Sequence, residues 1–249
     1  EIGVRLVGSE MCIRDRGAAG RLSCRACRRA SSPGARCGRC RAGPYGFSME
    51  VFVKICGLHR EADVADVAAL GPDAMGFIFW RPSKRYVEPS LVRSWTADLP
   101  PEILKVGVFV DCAVQEVRKI VKDAGVDVVQ LHGGESPETC RGVPGRTWKA
   151  VHLDRDPGLD VEGYPVDAFL IDSYSGKSPG GTGITANWDR AATFVAEQQI
   201  PVILAGGLRP DNVRESILRT RPWGVDVSSG VEAKPGEKDL GKVKEFIWQ

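Results

Sequence analysis

Lys54 and Cys56 are the first residues along the chain whose types and spacing suggest catalysis. They lie two positions apart in the run VFVKICG at 51–57, and alternate residues of a strand point to the same face of a sheet. A nearby ammonium group favours the thiolate form of a cysteine, whose free thiol titrates near ~8.5. Cys56 is therefore a candidate general base. The structural alternative is a cysteine that serves as a small buried apolar side chain.

Asp172 ends a second apolar run, Leu170-Ile171-Asp172-Ser173. A carboxylate in such a place costs free energy to bury unless it is paired or used. A thiol and a carboxyl group on opposite sides of one active-site mouth would form an acid/base pair across a substrate. We therefore consider Asp172 as the general acid. An aspartate that caps the following loop is the alternative, and the residue alone does not separate the two.

Two clusters of small residues predict a phosphate site. They are Gly206-Gly207 and Ser228-Ser229-Gly230. Glycines let backbone N–H groups approach an anion closely without a charged side chain, although tight turns also use them. A third glycine-rich stretch, Ser178–Gly183, predicts a mobile cover that excludes water during reaction. A plain flexible connection is the alternative for that stretch.

Other polar residues predict substrate contacts. The planar fork of Arg85 suits a substrate carboxylate, whereas an isolated arginine is more often a solvated loop charge. Gln130 and His132 share one face at the end of a strand. A lone histidine is more often structural than a metal ligand. No carboxylate cluster accompanies it, so we predict no metal in this region.

These residues must be positioned by a regular framework, and the chain from Met49 onward supplies one. Short β-branched or aromatic runs alternate with amphipathic stretches, a pattern typical of a parallel sheet with crossover helices. The predicted strands are 51–57, 74–80, 105–111, 128–133, 147–153, 168–173, 201–207 and 224–230. Eight such units in about 200 residues predict a small (βα)8 barrel of the α/β class. A doubly wound open sheet is disfavoured because no G-x-G-x-x-G follows the first strand.

Helical spacing is clearest at Val114–Ala124 and in the Val213–Leu218 region, which Pro210 and Asp211 open. The segment 154–166 contains two prolines and two glycines, so we expect little or no helix there. Active sites of these barrels lie at the carboxyl ends of the strands. Every candidate residue above lies at or beside such an end.

The first 48 residues differ from the rest. They hold ten Arg, two Glu and one Asp, a net charge of +7 against +2 for the whole chain. Cys24-x-x-Cys27 and Cys37-x-x-Cys40 would suit a thiolate zinc site, but the nine residues between the pairs are few for such modules. We favour a disordered extension. It would be a removable targeting segment or translated sequence upstream of a start at Met49.

Composition excludes several classes of protein. Hydrophobic content of 43% and charged content of 27% are those of a globular protein, and no apolar run is long enough to cross a bilayer. Three scattered cysteines after Met49 give no disulfide framework, so a reducing compartment is expected. The basic extension lacks the aromatic residues that would favour nucleic-acid binding.

The motifs taken together resemble those of the phosphoribosylanthranilate isomerases. The similarity runs from about Phe52 to Phe246, and only residues 1–48 have no counterpart. The matching segments are Lys54–Gly57, Gly76–Phe79, Ser83–Tyr86, Gln130–Gly133, Leu170–Asp172, Gly180–Gly183, Ala205–Leu208 and Asp226–Glu232.

The resemblance implies an Amadori rearrangement of N-(5′-phosphoribosyl)anthranilate to 1-(2-carboxyphenylamino)-1-deoxyribulose 5-phosphate, in tryptophan biosynthesis. It implies that Asp172 protonates the furanose oxygen and that Cys56 removes the C2′ proton, without a cofactor. Arg85 would meet the anthranilate carboxylate, and Asp226 would position the sugar. The remaining predicted contacts are Lys54, Gln130 and His132 for the substrate, and Gly206, Gly207, Ser228, Ser229 and Gly230 for the phosphate.

Related phosphoribosyl-binding barrels fit less well. The histidine-pathway isomerase has an aspartate where Cys56 stands, and we locate no counterpart of the lysine and glutamate used by indole-glycerol-phosphate synthase. A passive barrel that carries a zinc or nucleic-acid module is the rival of another class. We predict a small phosphoribosyl substrate, no nucleic-acid or membrane partner, and a cytoplasmic monomer or homodimer. If residues 1–48 are a transit peptide, the compartment would be an organelle.

Overall fold

The computed structural model describes residues 40–43, 46–49, 51–153, 161–172 and 187–249. The chain divides into two units, residues 1–51 and residues 52–249. In the first unit, β1 (Cys40–Gly43) and β2 (Gly46–Met49) form an antiparallel hairpin in which Cys40 pairs with Met49. The sequence did not predict this hairpin. Cys24, Cys27 and Cys37 lie outside the described residues.

The second unit is a closed barrel of eight parallel strands. The strands are β3 (Phe52–Cys56), β4 (Ala74–Ile78), β5 (Leu104–Phe109), β6 (Val128–Leu131), β7 (Arg146–Val151), β8 (Ala168–Ile171), β9 (Val202–Leu204) and β10 (Gly224–Val227). They are arranged in chain order around the barrel, and β10 closes it by pairing with β3. Each lies within or next to its predicted run. The predicted (βα)8 barrel is thereby confirmed, and the open doubly wound sheet is excluded.

Helices alternate with these strands. They are α1 (Glu61–Ala69), α2 (Pro89–Trp95), α3 (Val114–Ala124), α4 (Pro137–Gly142), α5 (Trp188–Glu197), α6 (Val213–Thr220) and α7 (Leu240–Trp248). The bounds of α3 are those predicted, because Gly125 takes the left-handed conformation at φ 70° and ends the helix. Residues 161–167, before β8, form turns rather than a helix. That part of the helix-poor prediction is confirmed, and 154–160 lie outside the described residues.

The core fills the inside of the barrel. Its buried residues are small or β-branched at most positions and aromatic at Phe52 and Trp148. The two rings meet edge to face at 5.9 Å, and Phe52 also stacks on Trp223 at 4.4 Å. Since Trp223 directly precedes β10 and Phe52 begins β3, this stack closes the barrel where its first and last strands pair.

Three aspartates at the amino-terminal end repeat one contact around the barrel. Asp73, Asp127 and Asp167 each directly precede an even-numbered strand. Each carboxylate accepts a 2.8 Å hydrogen bond from the backbone N–H of the second residue of the preceding strand: Val53, Lys105 and Thr147, respectively. Side chains thus reinforce the pairings β3–β4, β5–β6 and β7–β8. Before β10, the same position holds Trp223.

Candidate active site

A cavity opens at the carboxyl ends of the barrel strands. Ten of the twelve predicted site residues line it: Cys56, Arg85, Gln130, His132, Asp172, Gly206, Gly207, Asp226, Ser228 and Ser229. Lys54 and Gly230 do not. Apolar side chains such as Ile78, Trp80, Val108 and Leu208 complete the wall. The framework therefore brings residues from all parts of the barrel unit to one place.

Lys54 lies behind the cavity rather than in it. Its side chain is fully buried, and Nζ donates a 2.9 Å hydrogen bond to Oδ1 of Asp226. The two residues are register partners on the adjacent strands β3 and β10. Burial lowers the pKa of Lys54, but the Asp226 and Cys56 charges outweigh it and leave that pKa raised. The prediction that Lys54 contacts the substrate gains no support, since no wall of the cavity includes it.

Cys56 is a buried thiol with competing electrostatic influences. Burial, the largest effect, raises its pKa; the Lys54 ammonium lowers it; and the Asp226 carboxylate raises it again. The net shift is upward. The Lys54 ammonium favours the thiolate, as the sequence predicts, but desolvation exceeds the attraction of one paired ammonium and leaves the pKa of Cys56 raised.

Gly76 on the neighbouring strand gives the Cys56 sulfur its space. A β-carbon at Gly76 would lie 2.6 Å from Sγ of Cys56 and 3.1 Å from Cε of Lys54. Any larger residue would displace the thiol. The sequence marked Gly76 only as part of a matching motif.

Asp172 ends a chain of hydrogen bonds that crosses the cavity floor. Nε2 of Gln130 lies 3.0 Å from Nδ1 of His132, and Nε2 of His132 lies 3.0 Å from Oδ2 of Asp172. An amide nitrogen only donates, so Nδ1 accepts and the ring carries its proton on Nε2. The histidine therefore donates to Asp172. Oε1 of Gln130 is buried and has no partner among the described residues.

Arg85 is neither a free surface charge nor unpaired. Its Nε and Nη2 donate to the two carboxylate oxygens of Glu232 at 2.6 and 2.8 Å. Its stem passes over Gly57, whose φ is 77° and where a β-carbon would lie 2.6 Å from Cδ of Arg85. Glu232 also accepts a 3.1 Å hydrogen bond from Nζ of Lys238. The solvated-charge alternative for Arg85 is excluded.

The two predicted phosphate loops are adjacent. Gly206 and Gly207 follow β9 with φ values of 83° and 68°, and Ser228 and Ser229 follow β10. Gly230 lies behind this wall, where a β-carbon would clash with the carbonyl oxygen of Leu208. Its role is close packing between the loops.

Sequence reasoning missed Asn212, Glu232 and Lys238. Asn212 holds the glycine loop, because Nδ2 donates to the Gly207 carbonyl at 3.0 Å and Oδ1 accepts from the Arg209 N–H at 2.7 Å. Glu232 closes a matching motif and had no assigned role. The signal that could have identified Glu232 is its position as a charged residue directly after a strand-end motif. No sequence signal marks Lys238, which lies in the short strand β12 (Glu237–Lys238) opposite β11 (Glu232–Lys234).

The remaining predictions concern a metal ion, a membrane span and the glycine-rich cover. Within the described ranges, no group of three or more His, Cys, Asp or Glu side chains could hold a metal ion. In the same ranges, no helix has the length and apolarity to cross a membrane. The predicted cover, Ser178–Gly183, lies outside the described residues.

Comparison with known proteins gives one consistent result. The family model described as N-(5'phosphoribosyl)anthranilate (PRA) isomerase matches residues 53–249. A relative from Geobacter metallireducens, named N-(5'-phosphoribosyl)anthranilate isomerase, is 46% identical over 198 residues, which are 79% of this chain and 97% of the relative. The crystal structure of phosphoribosyl anthranilate isomerase from Thermotoga maritima has a TM-score of 0.71 at 36% identity, covering 79% of this chain and 97% of that one.

A further structure of a phosphoribosyl anthranilate isomerase holds reduced 1-(o-carboxyphenylamino)-1-deoxyribulose 5-phosphate. It is 35% identical to this chain, with a TM-score of 0.68 and coverage of 79% and 96% of the two chains.

Proposed function

The chain belongs to the N-(5'-phosphoribosyl)anthranilate isomerase family, and from this premise we propose that Asp172 and Cys56 are its general acid and general base. The protein catalyses the Amadori rearrangement of N-(5′-phosphoribosyl)anthranilate in tryptophan biosynthesis. One observation carries the assignment of roles. The thiol at the end of β3 and the carboxyl group directly after β8 line the same cavity, beside the loops that contain Gly206–Gly207 and Ser228–Ser229.

The first step is ring opening. A protonated Asp172 gives its proton to the furanose oxygen, the C1′–O bond breaks, and the nitrogen lone pair forms an iminium with C1′. Oδ2 of Asp172 accepts from His132, so we assign the transferred proton to Oδ1, which accepts no hydrogen bond from a described residue. His132 and Gln130 then act as positioning residues that fix the carboxyl group.

The second step is proton removal. Cys56 takes the proton from C2′, and the electron pair moves into the C1′–C2′ bond while the iminium nitrogen becomes neutral. The enolamine then tautomerises to the ketone. The substrate supplies its own electron sink, so the chemistry requires no cofactor. The iminium charge also favours a thiolate at the moment it is needed, which offsets the raised pKa of Cys56 in the unliganded protein.

The remaining contacts follow the two ends of the substrate. Backbone N–H groups of Gly206, Gly207 and Ser229 would hold the phosphate, since positive φ values at both glycines suit an anion-binding turn. Arg85 would hold the anthranilate carboxylate. Asp226, fixed by Lys54, would bind the sugar hydroxyls.

The test is turnover of freshly prepared phosphoribosylanthranilate, followed by the loss of anthranilate-type fluorescence. We expect Cys56→Ser and Asp172→Asn to lower kcat by at least about 100-fold, as removal of a general acid or base does. Cys112→Ser is the matched control, because Cys112 lies outside this cavity, and it should keep wild-type activity. A folded Cys56→Ser or Asp172→Asn variant with wild-type kcat would refute the corresponding role.

A further inference from the structure

Three charged side chains form a cluster on one side of the cavity: Arg85, Glu232 and Lys238. The side chains of Glu232 and Lys238 are 4% and 0% exposed, and Arg85 reaches from this buried pair to the cavity wall. Neither Glu232 nor Lys238 lines the cavity. Burying two such charges costs free energy unless they are paired, and the chemistry described above does not use them.

The geometry of the cluster leaves one edge of Arg85 available. Glu232 takes the side edge of the guanidinium, formed by Nε and Nη2. The opposite fork, formed by Nη1 and the second hydrogen of Nη2, donates to no described residue. Two parallel N–H donors of this kind match a second carboxylate in bidentate geometry. A guanidinium held along its side edge cannot rotate, so the direction of the free fork is fixed.

Lys238 fixes Glu232 in turn. Its Nζ donates to Oε1 of Glu232 at 3.1 Å and to the carbonyl oxygen of Ser228 at 3.0 Å. Burial raises the pKa of Glu232, but the hydrogen bonds from Arg85 and the charge of Lys238 outweigh it and hold that pKa low. The carboxylate is therefore ionised at neutral pH. Two basic side chains flank one carboxylate. Burial lowers the pKa of Lys238, and the Arg85 guanidinium, which lines the cavity, presents the positive charge to an anionic ligand.

We propose that Glu232, held by Lys238, is a positioning residue that aims the free fork of Arg85 at the carboxylate of the substrate. This rests on the proposed role of Arg85. Because the Lys238 ammonium also bonds Ser228, the same cluster links the carboxylate end of the site to the phosphate loop. The cluster therefore favours a substrate that carries a carboxylate and a phosphate at a fixed separation.

The experiment compares KM and kcat in Glu232→Gln with and without Arg85→Ala. The amide would place a donor against the donors of Arg85 or Lys238, so the guanidinium would lose its fixed direction. We expect KM to rise roughly tenfold or more with kcat within about threefold, because uniform binding is lost. In the Arg85→Ala background, the same substitution should change KM by less than about twofold.

Glu237→Gln is the matched control. It removes a carboxylate from the same hairpin that pairs with Arg60 and Lys234 instead, and KM should not change. Glu232→Asp tests the same idea if the amide variant does not fold, since it keeps the charge but shortens the reach, and KM should again rise. Circular dichroism and the Tm establish folding for every variant.

The outcomes distinguish a failure of the proposed function from a failure of the positioning role of Glu232. An inactive wild type would refute the function itself. An unchanged KM in Arg85→Ala would remove the proposed role of Arg85 and the positioning role with it. If Arg85→Ala raises KM but Glu232→Gln does not, or if Glu232→Gln raises KM equally in both backgrounds, only the positioning role is overturned.

Discussion

At the scale of single residues, the pKa of the proposed base Cys56 depends on Lys54, which lies behind the cavity rather than in its wall. A general base must be deprotonated, so kcat/KM should rise with pH towards the raised pKa of this thiol. In Lys54→Met, the one large influence that lowers the Cys56 pKa is removed, and Asp226 loses its partner. We expect the ascending limb of the kcat/KM profile to move to higher pH.

The measurement is kcat/KM across the alkaline range, with the rate of thiol alkylation as an independent readout of the Cys56 pKa. Lys119→Met, on the exposed side of α3, is the control and should leave both profiles unchanged. A limb that stays in place in Lys54→Met would show that Lys54 does not influence the base.

The space beside the same thiol gives a second prediction. In Gly76→Ala the new methyl group would stand 2.6 Å from Sγ of Cys56, and a displacement of about 1 Å from productive geometry costs about 100-fold in rate. We expect kcat to fall by that order. Gly163→Ala is the control, since its nearest neighbour would be Cγ of Pro137 at 3.9 Å. A folded Gly76→Ala variant with wild-type kcat would contradict the steric account.

At the scale of elements, a buried ion pair fixes the loop after β6. Nζ of Lys149 on β7 donates to Oε2 of Glu135 at 3.0 Å and to the carbonyl oxygen of Gly133 at 2.7 Å. Glu135 in turn accepts from the N–H groups of Gly133 and Asp111, and Asp111 is one of two described non-glycine residues with positive φ. These contacts hold the strand end that carries His132.

We expect Lys149→Met to lower the free energy of unfolding by about 3–5 kcal/mol, because it leaves the Glu135 carboxylate buried and unpaired. Urea denaturation measures the loss. The double variant Lys149→Met/Glu135→Gln should recover part of it. Lys105→Met breaks a half-exposed pair with Asp127 and should cost no more than about 1 kcal/mol. Equal losses in the two lysine variants would argue against the buried pair as the cause.

The elements also show what the sequence can predict. Strand positions followed from apolar runs, and the carboxyl-end rule placed ten of twelve residues on one cavity. Partners across the barrel did not follow. His132 and Asp172 directly follow β6 and β8, which are separated by β7, and no local pattern encodes that contact. The burial of Lys54 was missed for the same reason, because its carboxylate partner is far along the chain on β10.

At the scale of the whole molecule, the first 48 residues and the barrel are proposed to be independent. The family match begins at residue 53 and the barrel unit at Phe52. A chain that starts at Met49 should therefore keep the kcat/KM and the Tm of the full chain, measured side by side. Light scattering on both chains distinguishes the proposed monomer from the homodimer. A barrel that loses activity without the extension would contradict this division.

Zinc analysis of the full chain completes that comparison. We expect no bound zinc. About one equivalent, lost in Cys24→Ser and Cys37→Ser, would instead establish the first 48 residues as a metal-binding module.

The pairing between neighbouring strands is not equally extensive around the barrel. β9 has only three residues, and its ladder with β10 joins Gly224 to Ile203 and Val225 to Leu204. The aspartate contact that reinforces three other pairings is replaced before β10 by Trp223. Local opening of the native state should therefore begin at this seam. The proposed phosphate site spans the same seam, from Gly206–Gly207 to Ser228–Ser229. A bound phosphate would thus connect the two loops and stabilise the pairing of β9 with β10. The amide hydrogens of β9 should therefore exchange with solvent more slowly once inorganic phosphate is added.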